Sequence, residues 1–373
     1  MSVPNTSLFA EFSPVSKSDW LAKIEKDLKG RPLAELHWSL EDPLSIEPFL
    51  HADDFAESPS PILDQRSANT WSIGEDVIVS DIQAANKQVL AALMAGVNAP
   101  RFVFDDYITD NQLSKLLEGI ELDYITSHFQ EKTENRSPLS FLKSLKTVAG
   151  DKAMDIKGAI HYDPFADGRH DVKAATEAVS WAADNLPNFT VMTVNAERFY
   201  QNTEGVVSEL ANALSAGENY LKRLIDNGMS AEILQNRIAF RFQVGHSYFV
   251  QIAKLRAFKL LWANVLSAYD VAPTVPTIFA VTSPIQTTED VHTHKIKATT
   301  EAMSAVIAGV ETLTVSASEA SDFGRRIARN VQHLLSMESY LDKVADPSAG
   351  SYYIEKMTEQ LAEAAWSAFQ KLN

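Results

Sequence analysis

The chain has 373 residues, enough for two domains or for one large domain with an appendage at roughly 100 to 200 residues per domain. Apolar types make up 45% and charged types 22%, a globular composition that excludes a disordered chain and allows a sizeable core. Lys and Arg total 33 against 49 Asp and Glu, a net charge of −16, which excludes the global positive field of a nucleic-acid binder or of a protein drawn to an anionic membrane.

No cysteine is present. Disulfides, thiolate nucleophiles, Cys-ligated zinc and iron–sulfur clusters are excluded with it, so any metal would need oxygen or imidazole ligands. Apolar runs such as VLAALMAGV, from Val89 to Val97, stop far short of the ~20 residues that span a bilayer. The opening residues lack the basic start and long apolar stretch of a secretory signal. These features predict a soluble protein of the cytoplasm.

Ser16 to Gly30 (SKSDWLAKIEKDLKG) places Trp20, Leu21, Ile24 and Leu28 at helical spacing, with Ser16 or Ser18 as cap and Gly30 as stop. From there to Thr70 the chain carries Pro32, Pro43, Pro48, Pro59 and Pro61 and no sustained periodicity. Residues 1–70 therefore read as a helical and extended arm, and 71–373 as the folded domain.

After Trp71 short β-rich runs alternate with longer helical stretches. The strand candidates are Asp76–Asp81, Arg101–Phe104, Asp123–Phe129, Ile156–Tyr162, Phe189–Asn195, Ile238–Gln243, Thr277–Thr282 and Thr312–Ser316. Helical patterns follow each of them: Ile82–Ala95, Asp110–Glu118, Pro138–Val148, Val172–Asn185, Glu204–Asn227, His246–Ala268, His292–Ala308 and Ala320–Tyr340. Eight strands each followed by a helix predict a parallel (β/α)8 TIM barrel, closed by an amphipathic C-terminal helix from Tyr352 to Leu372. A doubly wound open sheet is the alternative, but no G-x-G-x-x-G or G-x-x-x-x-G-K-[ST] occurs to support its nucleotide-binding forms.

In a barrel of this kind chemistry sits at the carboxyl ends of the strands. After the fourth strand, HYDPFADGRHD offers His161, Asp163, Asp167, His170 and Asp171 as metal-ligand types, although D-P before a glycine is also an ordinary solvated turn. His292 and His294 form an H-x-H, but at a helix start i and i+2 do not face one another. Arg241 alternates with aromatics in AFRFQVG and can point into the barrel, to bind an anion or to pair with a buried acid. His161, Asp163 and Arg241 together would suit acid–base work on an anion, the reading of a stand-alone barrel enzyme. The Glu and Lys positions of IEKDLKG and IAKLRAFKLL read as solvated or partner-facing helix sides.

Five segments carry a resemblance. FAEFSPVSKSDWLAKIEKDLKGRPLAELHW opens the chain, GAIHYDP and IAKLRAFKLLWANV follow, and RRIARNVQHLLSMES and ADPSAGSYYIEKMTEQLAEAAW come last. With these the chain resembles the barrel-bearing chains of methylmalonyl-CoA mutase, a cobalamin-dependent isomerase family. The departures from the family's catalytic chains are specific. No Y-P-T-M-Y-T-type stretch lies between Pro48 and Trp71, and VNAERFYQNTEG at Val194–Gly205 has no histidine where catalytic chains carry S-G-Y-H-M-Q-E-A-G. SASEASDF replaces a longer loop containing H-T-N and D-E-A-L-x-L-P. The sequence reaches Asn373 without the D-x-H-x-x-G of the cobalamin-binding domain, and Asp290-Val291-His292 continues as THK.

The resemblance is therefore to the small, non-catalytic chain of the heterodimeric form. It implies that this chain has no catalytic, cofactor-binding or metal residues of its own, and that a large partner chain binds adenosylcobalamin and interconverts methylmalonyl-CoA and succinyl-CoA. The arm would be the part that contacts that partner. Mass action supplies a physical reason for keeping such a copy, because a folded chain that binds only the native partner stabilises it.

Overall fold

The computed structural model describes residues 12–41, 44–56, 62, 66–105, 108–131, 137–166, 171–200 and 205–372. The arm begins with α1 (Lys17–Leu28), capped by the Ser16 side chain on the Asp19 N–H and ended by a left-handed Lys29. None of its residues is buried, and Glu25, Lys26 and Asp27 are exposed as the spacing predicts. Trp20 meets Phe49 edge-on at 5.3 Å. The Lys17 ammonium bridges Glu47, at 2.9 Å, and Asp54.

The rest of the arm is more ordered than its prolines suggest. An antiparallel hairpin, β1 (Trp38–Glu41) and β2 (Leu44–Ile46), pairs Trp38 with Ile46. Its Leu40 and Ile46 are buried in the main core, and two anchored apolar side chains hold a short ribbon that would be marginal alone.

The barrel follows in eight β/α steps. Its elements are β3 (Ser72–Val79), α2 (Ile82–Met94), β4 (Ala99–Phe104), α3 (Asp110–Leu116), β5 (Thr126–Glu131), α4 (Pro138–Ala149), β6 (Lys157–Ile160) and α5 (Val172–Asn185). The fifth strand is in two pieces, β7 (Phe189–Thr190) and β8 (Met192–Asn195), and leads to α6 (Val206–Ile225) and the short α7 (Ala231–Leu234). Then come β9 (Ile238–Val244), α8 (Tyr248–Ala268), β10 (Thr277–Thr282), α9 (Val291–Ile307), β11 (Thr312–Thr314), α10 (Asp322–Met337) and α11 (Tyr352–Leu372).

Every barrel pairing is parallel, and β11 pairs back onto β3. The ring closes through Val191: β7 pairs with β6 and β8 with β9, so one continuous stretch changes neighbours within a single residue. Gly158 of β6 makes this possible. A Cβ there, at φ +147°, would lie 1.8 Å from the Ser127 carbonyl oxygen and 2.8 Å from the Phe189 ring.

The first strand begins at Ser72, before the predicted Asp76, and stops at Val79 rather than at Asp81, because Asp81 is already the N-cap of α2 and accepts from the Ala84 N–H. The last helix runs from Tyr352 to Leu372, as its spacing predicts. It lies across α6 and α8.

That cover overturns one reading of the sequence. Lys254 and Arg256 of α8 are fully buried and Lys259 is 3% exposed, so these cations are neither solvated nor partner-facing. The Lys254 ammonium donates to both Glu209 carboxylate oxygens, at 3.0 and 3.1 Å, and to the Gln243 carbonyl at 2.8 Å. Arg256 donates to Asp346, to the Ser348 hydroxyl at 2.9 Å and to both Glu355 oxygens at 2.9 and 3.0 Å. Lys259 donates to the Ala308 and Gly309 carbonyls at the end of α9, where the helix dipole is negative. Two of the resemblance segments, IAKLRAFKLL and ADPSAGSYYIE, thus meet in one buried network.

Candidate functional site

Residues in register on neighbouring parallel strands share a face of the sheet. Asp76 stands opposite Arg101, and Arg101 opposite His128. Arg241 stands opposite both Asn195 and Phe279. These side chains point into the barrel, where Ala159, Ala239 and Phe279 form a small apolar cluster separate from the main core.

Arg101 grips Asp76 with Nε, at 2.8 Å, and Nη2, and gives Nη1 to Gln130. Burial works to raise the Asp76 carboxyl, but the Arg101 charge and hydrogen bonds outweigh it and hold the carboxyl below its usual range. Across the barrel, Arg241 pairs with Glu197.

Between the two arginines lie His128 and His161, with Nδ1 of one and Nε2 of the other 3.3 Å apart. Both rings rest on Phe279, with centroids at 4.6 and 5.5 Å. Burial, then the charges of Arg101 and Arg241, push His128 down to about 3. Burial and the Arg241 charge hold His161 well below the ordinary imidazole range. Both imidazoles are therefore neutral, and the other nitrogen of each, Nε2 of His128 and Nδ1 of His161, is buried without a hydrogen-bond partner among the described residues.

A cavity of about 650 Å³ opens at the amino-terminal mouth, lined by Thr126, Lys157, Arg237, Thr277 and Glu311 among others, and its lining reaches as far as Phe279. Asp76, Arg101, His128 and Arg241 stand beyond that ring and do not line it. The middle of the barrel is occupied by side chains engaged with one another.

Of the residues singled out in the sequence, His161 and Arg241 come together in this layer. Asp163 does not join them: its carboxylate accepts from the Asn195 N–H at 3.2 Å and the Tyr220 hydroxyl, with Arg198 at 3.5 Å. It fastens the fourth loop to the fifth strand and α6. Asp171 is the N-cap of α5, and Asp167 and His170 lie outside the described residues.

On α9, His294 is buried between Glu289 and the Ser316 carbonyl, both at 3.3 Å, while His292 is exposed. The H-x-H does not converge, and no group of three or more His, Asp or Glu among the described residues is placed to hold a metal ion. Asp76, Arg101, His128, Gln130 and Glu197 escaped the sequence reading. Arg101 carries the signal that points to Arg241, a lone charged residue at an inward position of an apolar strand, whereas His128 and Gln130 lie in a mostly polar strand and Glu197 in the turn after β8.

The layer does not fit adenosylcobalamin as a resident group. A large resident group would need open space and uncommitted donors in the layer. Here the inward polar groups are paired across the axis, and both imidazoles of the layer are sealed against Phe279.

Fold and layer define a closed (β/α)8 barrel whose axis is filled by paired charges. Residues 108–373 match the family model described as methylmalonyl-CoA mutase. A relative in Porphyromonas gingivalis named methylmalonyl-CoA mutase small subunit is 34% identical over 99% of this chain and 64% of its own length. The chain belongs to the methylmalonyl-CoA mutase family. A small subunit from Streptomyces virginiae is 28% identical over 98% of this chain and 65% of that protein. A methylmalonyl-CoA mutase from Rhizobium meliloti is 25% identical over 95% and 57%. The chain thus spans less than two thirds of the length of these relatives. No helix among the described residues is long and apolar enough to cross a membrane.

Proposed function

We propose that this chain is the non-catalytic small subunit of a two-chain, cytoplasmic, adenosylcobalamin-dependent methylmalonyl-CoA mutase. A large partner chain binds the cofactor and carries the interconversion of methylmalonyl-CoA and succinyl-CoA. The observation that carries this reading is the filled barrel axis: Asp76–Arg101–Gln130, Arg241–Glu197 and the His128–His161 pair on Phe279 are committed to one another. An acyl chain entering along the axis would have to break those contacts and strand buried charge, at a cost of several kcal/mol. The small-subunit names of the relatives support the same reading.

In this assignment the chain acts by stabilising its partner, and the arm, with no residue of α1 buried in its own barrel, is the part that lies against it. The stand-alone alternative is not favoured, because Asp163 is held apart from His161 and Arg241. The test is to purify the chain from its own cell with a tag and weigh what accompanies it, then to assay the chain alone with added adenosylcobalamin. A 1:1 complex with a larger chain and no turnover from the lone chain are expected; mutase turnover by the lone chain would sink the assignment.

A further inference from the structure

β11 is three residues long and on its β3 side reaches only Ser72, Ile73 and Gly74, whereas β3 runs on to Val79. From Glu75 onward, that edge of β3 has no strand beside it among the described residues. A cavity of about 210 Å³ occupies the notch, lined by Gly74, Asp76, Thr314 and Ser316 and flanked by Arg325 and Arg329 of α10. A second recess of about 340 Å³ shares Glu75 and both arginines and continues to Arg326 and Phe323.

The cations gather here through the spacing on α10. Arg325 and Arg329 are one turn apart and so share a face, while Arg326 and Lys295 sit over the exposed Phe323 ring at 5.3 and 5.4 Å. Glu75, buried beneath, takes Nη1 of Arg329 and lies 3.9 Å from Nε of Arg325. Asp322, fully solvated, takes Nη2 of Arg325. A guanidinium has five N–H donors, so these contacts position both forks while using a minority of their donors. Of the two carboxylates lining the notch, Asp76 is answered by Arg101 and Glu75 by Arg329, so Arg325 and the rim cations Arg326 and Lys295 against Asp322 leave a positive spot on a chain of net charge −16.

We propose that the notch between β3 and β11 binds the phosphoryl group of a small phosphorylated ligand, held by the forks of Arg325 and Arg329. Two guanidiniums suit a doubly charged tetrahedral anion better than a planar carboxylate, which a single fork satisfies. The notch adjoins the carboxyl end of the eighth strand, the side of the barrel on which ligand sites are built. The inference does not depend on the subunit assignment.

The test is calorimetric titration of the full chain with inorganic phosphate, and with acetate at matched ionic strength. Saturable binding of one phosphate per chain is expected, weakened roughly tenfold or more by Arg325→Gln and unchanged by Lys157→Gln at the opposite mouth. Arg325→Gln leaves the Arg329–Glu75 pair in place, and a retained circular dichroism spectrum and melting temperature would show that the variant is folded. Arg329→Lys, which keeps the charge but not the fork, is expected to weaken binding as well. Absence of saturable heat at millimolar phosphate, equal affinity in Arg325→Gln, or acetate binding as tightly as phosphate would each overturn the proposal.

Discussion

Outside the barrel, the cations of α8 are answered by partners from α6, the end of α9 and the segment Asp346–Glu355. Inside it, Arg101 and Arg241 are answered as well, but the two imidazoles between them are left neutral with one nitrogen apiece unsatisfied. The outer network fastens elements distant in sequence, and almost every donor has its acceptor. The inner layer fills space and tolerates unmet polar atoms, each of which costs about 1 to 3 kcal/mol. One region is built for cohesion and the other to occupy the axis.

Breaking the outer network should give the largest effect. Arg256→Met strands the buried Asp346 and Glu355 together and is expected to cost about 5 kcal/mol, at the upper end for a broken buried pair, read as a lower midpoint in urea unfolding. Lys254→Met leaves a single buried carboxylate, Glu209, and is expected to cost about 3 kcal/mol; adding Glu209→Leu should recover most of that loss, because removing both charges abolishes the desolvation penalty. Failure of the double variant to recover would mean that the pair contributes through packing rather than charge.

The inner layer should show itself through pH. Folding holds His128 and His161 below the ordinary imidazole value, so the unfolded chain binds more protons as pH falls through about 6.5. Stability from this source is complete above that pH and is lost as pH drops toward the folded values. Between pH 6.5 and 5 the loss from His128 alone is roughly 2 kcal/mol. Urea midpoints across that window should fall with acid, and His128→Leu should flatten the slope; an unchanged slope would show that the imidazoles titrate normally. The smallest effect belongs to the exposed arm: Lys23→Gln, which removes the Lys23–Asp27 pair on α1, should change stability by less than about 0.5 kcal/mol.

The barrel was legible because each strand and each helix carries its own period, and because a cap such as Asp290 marks where a helix starts. The buried cations of α8 were harder to see. Lys254, Arg256 and Lys259 fall on different sides of the helix, which reads as a solvated surface until α11 is laid over it. In hindsight, charges on several faces of an otherwise apolar helix indicate a helix enclosed all round. The hairpin of the arm was hidden because its apolar side chains have partners only in the barrel. Asp163 was misleading for another reason: the residue type suits chemistry, but the side chain turns to Tyr220 and the Asn195 backbone, a contact that only tertiary structure creates.

The partners of Arg256 lie 90 to 99 positions further along the chain, and the ring itself closes by pairing Ser72 with Thr312. Both contacts carry a consequence for the order of events during synthesis. A nascent chain that has not yet produced Asp346 and Glu355 has no anion for the guanidinium at the centre of α8, and one that has not reached Thr312 has no eighth strand to complete the ring. Its helices can form early, but the cooperative unit cannot be completed until α11 has been made. Until then the unfinished barrel exposes the edge of its first strand and the apolar face of α8, the surfaces through which such a chain would aggregate.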